Sequence, residues 1–394
     1  MNPASIRSPG LKAPPPLALY IHIPWCMRKC PYCDFNSHAA SKIPEAAYID
    51  ALREDLEAAL PDIWGRKIHS VFFGGGTPSL FSPAGISRIL DAVRMLTPLD
   101  PLAEITLEAN PGTMEAGRFQ DFRDAGVNRL SLGIQSFNDE KLESIGRIHG
   151  AAEARAAAEL AARTFGGFNL DLMYGLPGQG VQEALDDVDI ALDFNPSHLS
   201  CYHLTLEPNT PFGHTPPANL PDEDEGFAMQ EAIEARLASS GFEHYETSAF
   251  ALKSHRCRHN LNYWQFGDYL GIGAGAHSKL SFHDRIVRQM RVKHPRQYME
   301  AFALGRRVAE RVAEEKGVTA EELPFEFMMN ALRLTGGFEV ALFSERTGLP
   351  LNALLKPLAQ AEARGLVTRS PLRIEPTLTG QRFLNDLLTL FLAG

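Results

Sequence analysis

The sequence predicts an α/β fold: an open (β/α)6 arrangement, three-quarters of a closed barrel, followed by a small, mainly helical module. Three observations predict it. From Leu17 to about Leu206, short β-like runs alternate with amphipathic helical stretches, the pattern of parallel strands joined by crossover helices. The number of units is about six, too few for a complete eight-unit barrel. From about Thr319 the pattern changes to helices with a turn-rich hairpin, "RGLVTRSPLRIEPTLTG", which reads as winged-helix-like. A doubly wound sheet also accommodates the alternation. In either case the functional edge is the carboxyl end of the strands.

Each element has its own justification. The strand runs are "LALYIHI", "HSVFFGG", "EITLEAN", "RLSLGIQS", "FNLDLMYG" and "HLSCYHLTL", rich in β-branched and aromatic residues. Between them lie stretches of helical period such as "PEAAYIDALREDLEAAL" and "GVQEALDDVDIALDF". In "FFGGGTPSL", Pro78 and Ser79 read as the start of the next helix. After Leu206, "EPNTPFGHTPPANLPDEDEG" is rich in proline and acids and reads as a long loop. "EAIEARLASS" predicts a helix and "FEHYETSAF" a strand. The polar-aromatic segment "HRCRHNLNYWQFGDYLGIGAGAHS" follows. The expected organisation is a tail over residues 1–16, a core with its extension over 17–318, and the C-terminal module over 319–394.

Composition excludes several classes. The chain has 394 residues, of which 44% are hydrophobic and 22% charged, as in ordinary globular proteins. A net charge of −10 argues against a general nucleic-acid surface. The start has no apolar signal region, and no apolar run reaches the roughly 18 residues of a membrane span. The expected location is the cytoplasm. Five cysteines, an odd number without a secretory signal, disfavour a disulfide framework and favour metal or cluster binding.

Cys26, Cys30 and Cys33 lie in "YIHIPWCMRKCPYCDFNSH" with C-x3-C-x2-C spacing. A structural zinc site needs four ligands, which Cys201 or Cys257 can complete only from afar. A cubane iron–sulfur cluster held by three thiolates leaves one iron open to a ligand. Spacing alone leaves both alternatives standing. The glycines of "FFGGGTPSL" let backbone approach a ligand closely. No Gly-Lys-Ser/Thr follows, which disfavours a P-loop. Glu108, Gln135, Arg147 and Asp171 fall at or near the ends of successive βα units, all on one expected rim. "GIGAGAHS" is not a dinucleotide fingerprint: its spacing is G-x-G-x-G and no βαβ unit surrounds it. It reads as a tight strand or loop packed near the barrel.

"YIHIPWCMRKCPYC" resembles the cluster loop of radical S-adenosylmethionine (SAM) proteins. From about Leu17 onward the chain resembles the family related to oxygen-independent coproporphyrinogen III oxidase, and within it the haem chaperone branch. The resemblance implies a TIM-like radical SAM barrel. It implies a [4Fe–4S] cluster on Cys26, Cys30 and Cys33, its open iron chelated by the amino and carboxylate groups of SAM. It also implies SAM contacts from Tyr20, Gly75, Gly76, Thr77, Glu108, Gln135, Arg147 and Asp171, with Tyr32 shielding the cluster or flanking the adenine. Acids and amides suit an amine and ribose hydroxyls, and Arg147 suits a carboxylate. Two functions follow: an oxidase that decarboxylates coproporphyrinogen III by radical chemistry, and a chaperone delivering haem to apoproteins such as respiratory enzymes. Oxidase members carry a further cysteine two positions after the third, where this chain has Phe35, and a longer segment before the cluster loop. Both departures favour the chaperone and leave catalytic activity in doubt. "HNLNYW" matches a motif of the chaperone branch. It makes His259 a candidate haem-iron ligand, with Cys257 second and Tyr263 and Trp264 for the ring. A loop pinned by a His-Asn pair is the structural alternative. Lying after the core, the segment is expected to fold over the open rim.

Overall fold

The computed structural model describes residues 10–40, 42–113, 118–303 and 311–392. Of the expected tail, residues 1–9 lie outside the described residues. Six strands form the centre: β1 (Leu17–Ile23), β2 (Ile68–Gly75), β3 (Leu99–Ala109), β4 (Arg129–Gln135), β5 (Phe168–Tyr174) and β6 (His198–His203). They pair in sequence order and all in parallel. Crossovers carry α1 (Glu45–Ala59), α2 (Pro83–Leu96), α3 (Arg118–Asp124), α4 (Asp139–Ser144), α5 (Ala151–Thr164) and α6 (Val181–Asp193). The (β/α)6 expectation holds.

The sheet extends beyond six. After α7 (Pro211–His214) and α8 (Glu223–Ser239), "FEHYETSAF" forms a hairpin of β7 (Glu243–Glu246) and β8 (Ala249–Ala251) rather than one strand. The hairpin continues the sheet antiparallel to β6. The helix α9 (Arg258–Trp264) follows. The strand β9 (Asp268–Ile272) then adds in parallel to the free edge of β1, so "GIGAG" begins inside a seventh parallel strand. A meander of β10 (His277–Ser281), β11 (Ile286–Arg291) and β12 (Val312–Val318) completes that flank. The order is β12-β11-β10-β9-β1-β2-β3-β4-β5-β6-β8-β7.

Alternation along the parallel strands separates two environments. Leu17, Leu19, Ile21, Val71, Phe73, Ile105, Leu107, Leu130, Leu132, Leu170 and Leu199 belong to the main apolar core between sheet and helices. Each such side chain contributes about 1.5–3 kcal/mol on burial. The intervening residues, including Tyr20, Glu108, Ser131, Asn169, Asp171 and Ser200, line a polar lumen. There Ser131 and Asn169 donate to Asp171, at 3.1 and 2.8 Å. Helix α1 presents Tyr48, Leu52 and Leu56 to the core at helical spacing. Helix α2 starts later than read from sequence. Pro78–Leu80 is a 3-10 turn, and Ser82 caps Pro83–Leu96 by accepting from Gly85 N–H at 3.0 Å.

The C-terminal part packs α11 (Leu323–Ala331), α12 (Val340–Thr347) and α13 (Asn352–Ala363), which follow α10 (Pro295–Ala303), around Phe327, Phe343, Leu354 and Leu358. The predicted hairpin is β14 (Val367–Arg369) with β15 (Arg373–Pro376), and β13 (Phe338–Glu339) pairs with β15. Phe266 and Ile286 join this second core from the first part of the chain. Among the described residues no helix is long and apolar enough to cross a membrane.

Candidate functional site

The loop carrying Cys26, Cys30 and Cys33 leaves the carboxyl end of β1. Its ends are fastened by parallel pairing of Trp25–Cys26 with His38–Ala39. His38 N–H donates to Pro24 O at 2.7 Å and Ala40 N–H to Cys26 O at 3.1 Å. Trp25 anchors the base against Tyr48 and Phe81. On the far side Asn36 donates to Ala274 O and Lys293 O, at 3.0 and 2.9 Å. The glycine-rich segment read as a tight strand or loop packed near the barrel thus cradles the cysteine loop. All three cysteines are free and half-buried.

The loop after β2 is stitched to the cysteine loop. Gly76 N–H donates to Ile23 O at 2.8 Å and Thr77 N–H to Trp25 O at 2.7 Å. A Cβ on Gly76 would stand 2.4 Å from Trp25 O, so the approach requires glycine. Gly75 has φ +116°, a conformation that only glycine takes readily, and it turns its N–H to Glu108 Oε2 at 3.3 Å. The remaining expected residues meet around the same rim. Tyr20 and Asp171 enter the lumen beside Glu108. Burial, then the charge of Asp171, pushes the Glu108 carboxyl up to about 8. Burial also raises Asp171, against hydrogen bonds from Asn169, Ser200 and Ser131. Burial raises the Tyr20 hydroxyl, helped by Glu108. Gln135 ends β4 with φ +69°, a left-handed conformation costing roughly 1–2 kcal/mol and expected where function fixes the backbone. Tyr32 packs on Ile145, Met173, Leu176 and Leu204, next to Cys30.

Arg147 has protein partners of its own at this rim. It already donates to Asn110 Oδ1 at 2.5 Å, Gly133 O at 2.7 Å and Cys30 Sγ at 3.7 Å. It is a sulfur-side cation before any carboxylate reaches it. Asn110, in "EANP" directly after β3, was not singled out from sequence. Its place two residues past the strand-end acid was the available signal.

The site suits thiolate ligation. Burial raises the thiols of Cys26 and Cys33, while the Thr77 and Ser37 hydroxyls beside Cys26 act the other way. Arg147 donates to Cys30 Sγ, and no carboxylate hydrogen-bonds to any of the three sulfurs among the described residues. Neither fallback zinc ligand is near. Cys201 is buried in the main core, and Cys257 Sγ donates to Glu104 Oε1 at 3.5 Å. Among the described residues no three His, Cys, Asp or Glu side chains converge on single-ion geometry. Amides and carboxylates around the rim likewise suit the amine, carboxylate and hydroxyls of SAM.

The "HNLNYW" expectation is corrected in one respect: the segment does not fold over the rim. It forms α9 at the opposite, amino-terminal mouth of the barrel. There His259 is 1% exposed. Its Nδ1 bonds to Ser70 Oγ at 3.0 Å, its Nε2 to Tyr263 OH at 3.2 Å, and its ring stacks on Phe72 at 4.9 Å. Glu104 accepts from the N–H groups of Arg258 and His259 at the start of α9, each at 3.0 Å. Burial, then the Arg129 charge, holds the imidazole down to about 3, so it is neutral. Trp264 lies under Arg333, 4.4 Å from its ring centre, which ties this floor to the C-terminal part. Replacing His259 with Ala leaves the buried Ser70 hydroxyl and the half-buried Tyr263 hydroxyl without this partner and opens a cavity, an expected loss of about 3 kcal/mol readable by denaturant unfolding. Haem titration of the same variant reads whether α9 ever leaves the floor: only then does the Soret band change.

The comparisons agree with this geometry. The profile of the radical SAM superfamily matches residues 20–191, and that of the HemN C-terminal domain matches residues 318–383. The solved coproporphyrinogen III oxidase of Escherichia coli, a radical SAM enzyme, superposes with a TM-score of 0.79 at 24% identity, covering 98% of this chain and 91% of that one. Fold and rim together define a radical SAM protein. The heme chaperone HemW of Escherichia coli is 49% identical over 96% of this chain and 99% of its own length. That of Bacillus subtilis is 34% identical over 95% and 98%. The chain belongs to the HemW family.

Proposed function

We propose that the protein is a cytoplasmic haem chaperone. It holds a [4Fe–4S] cluster on Cys26, Cys30 and Cys33 with SAM at the open iron, binds haem, and passes it to haem-requiring apoproteins such as respiratory enzymes. The observation that carries this is near-complete, end-to-end similarity to the heme chaperone HemW of Escherichia coli. Phe35, 59% exposed on the cysteine loop, supports it, since the oxidase pattern has a cysteine at that position. When bound, the cluster and SAM would supply one-electron chemistry. The chain's own part is to orient both. Tyr20, Gly75, Gly76, Thr77, Glu108, Gln135 and Asp171 surround the proposed SAM position, and Tyr32 covers the cysteine side. His259 serves as haem ligand only through release of α9 from the barrel floor.

The competing reading is an oxygen-independent coproporphyrinogen III oxidase. Anaerobically reconstituted protein, incubated with SAM, reductant and coproporphyrinogen III, is expected to form no protoporphyrinogen IX and to bind added haem. Formation of that product would replace the chaperone reading with the enzyme.

A further inference from the structure

Asn110 joins the Thr77 hydroxyl, beside Cys26, to the Arg147 guanidinium, which donates to Cys30 sulfur. Its Nδ2 donates to Thr77 Oγ1 at 2.9 Å, and its Oδ1 accepts from Arg147 Nη2 at 2.5 Å. The Thr77 side chain lies beside Cys26 and lowers its thiol against burial, and Arg147 Nη1 donates to Cys30 Sγ at 3.7 Å. One amide orientation satisfies both neighbours. Because the Thr77 oxygen accepts from Asn110, its own proton is not spent on that neighbour. Because Arg147 is held by Asn110 and by Gly133 O, its other terminal nitrogen faces Cys30. Gly133 leaves the room for this: a Cβ there would stand 2.9 Å from Asn110 Oδ1. Cys30, Thr77, Asn110 and Arg147 all line one small cavity at the loop.

We propose that Asn110 is a positioning residue that aims the Thr77 hydroxyl and the Arg147 guanidinium at the thiolates of Cys26 and Cys30, and so raises the reduction potential of the cluster they hold. The inference rests on the cluster assignment above. Its physical basis is charge. A cubane on three thiolates is anionic, and a one-electron reduction adds a further negative charge. Directed donors and a buried cation stabilise the reduced form more than the oxidised one. Arg147 donates to Cys30 Sγ in this geometry and to no carboxylate among the described residues, so the guanidinium is placed to act on the cluster before SAM arrives. Thr77 and Arg147, otherwise assigned to SAM, then serve the sulfur side first.

The test is an anaerobic redox titration of reconstituted protein without SAM, followed optically and by electron paramagnetic resonance. Asn110→Leu keeps the volume and removes the bonds to Thr77 and Arg147. It is expected to reduce the ratio of reduced to oxidised cluster at fixed potential at least tenfold, a fall of about 59 mV for one electron. A purely structural role predicts fewer clusters per chain with an unchanged potential, and that result overturns the inference. Should Asn110→Leu assemble no cluster, Thr77→Val, which removes one sulfur donor, decides by the same sign: a lower midpoint supports the inference and an unchanged one overturns it. Parent protein that assembles no iron–sulfur centre removes the cluster assignment and the inference with it, an outcome distinct from an unshifted variant.

Discussion

Replacing Cys26, Cys30 and Cys33 together with Ala is expected to abolish the iron–sulfur absorption of anaerobically reconstituted protein, whereas Cys201→Ala leaves it intact. Parent protein is expected to hold about four irons and four sulfides, the content of one cubane. The effect is all or none because the thiolates are the attachment. It should not come through unfolding, since the loop is fastened by backbone bonds to Pro24, Cys26 and Phe35 and by the Trp25 anchor, none of which uses a sulfur. The other two cysteines are poor candidates for ligands. Burial, then the charges of Asp171 and Asp187, pushes the Cys201 thiol up to about 12. Burial likewise pushes Cys257 up to about 12. Burial raises Cys26 and Cys33 as well, so position decides: Cys201 lies in the main core and Cys257 against Glu104, both away from the loop. One tightly bound zinc, lost on Cys201→Ala, would overturn the cluster assignment.

What the sequence made legible follows from the range of each signal. The six parallel strands were readable because each is a short apolar run between turn residues, and the lumen residues fall at alternate positions within those runs. A rim could be expected because βα units repeat, but the strand positions differ: Glu108 and Gln135 lie at the ends of β3 and β4, whereas Asp171 lies in the middle of β5. β9 escaped because its pairing with β1 joins Asp268–Ile272 to Leu17–Ile21, a contact between distant parts of the chain that no local pattern encodes. For the same reason α9 was placed at the wrong mouth. "HNLNYW" carries the chemistry of a ligand loop. Its position is set by Ser70 and Glu104, partners on β2 and β3 far away in sequence. The dual use of Arg147 was equally hidden, since a guanidinium near a cofactor reads as a carboxylate clamp until its actual acceptors are seen.

Glu108 and Asp171 give the last prediction, because two carboxyls share one buried end of the lumen. Glu108 ordinarily titrates near 4.5 and is pushed up to about 8, first by burial and then by Asp171. A carboxyl raised by folding favours the folded state when protonated. Its contribution is fully present below 4.5 and is lost as pH rises through about 8. Without SAM, the parent is therefore expected to lose stability across that window, and Glu108→Gln, which cannot ionise, to lose less. Denaturant midpoints at several pH values in that window read the difference. The same carboxyls face the proposed SAM position, where an ionised pair would meet the cationic and hydroxyl groups of the ligand. Glu108→Gln and Asp171→Ala are each expected to weaken SAM binding at least tenfold, about 1.4 kcal/mol, with the iron–sulfur spectrum unchanged. The two measurements move in opposite directions for Glu108→Gln: the unliganded protein gains stability toward pH 8 while the ligand is lost. A merely structural carboxyl would not produce that opposition. Normal SAM affinity in both variants would assign the pair to lumen packing and take the proposed SAM position away from this rim.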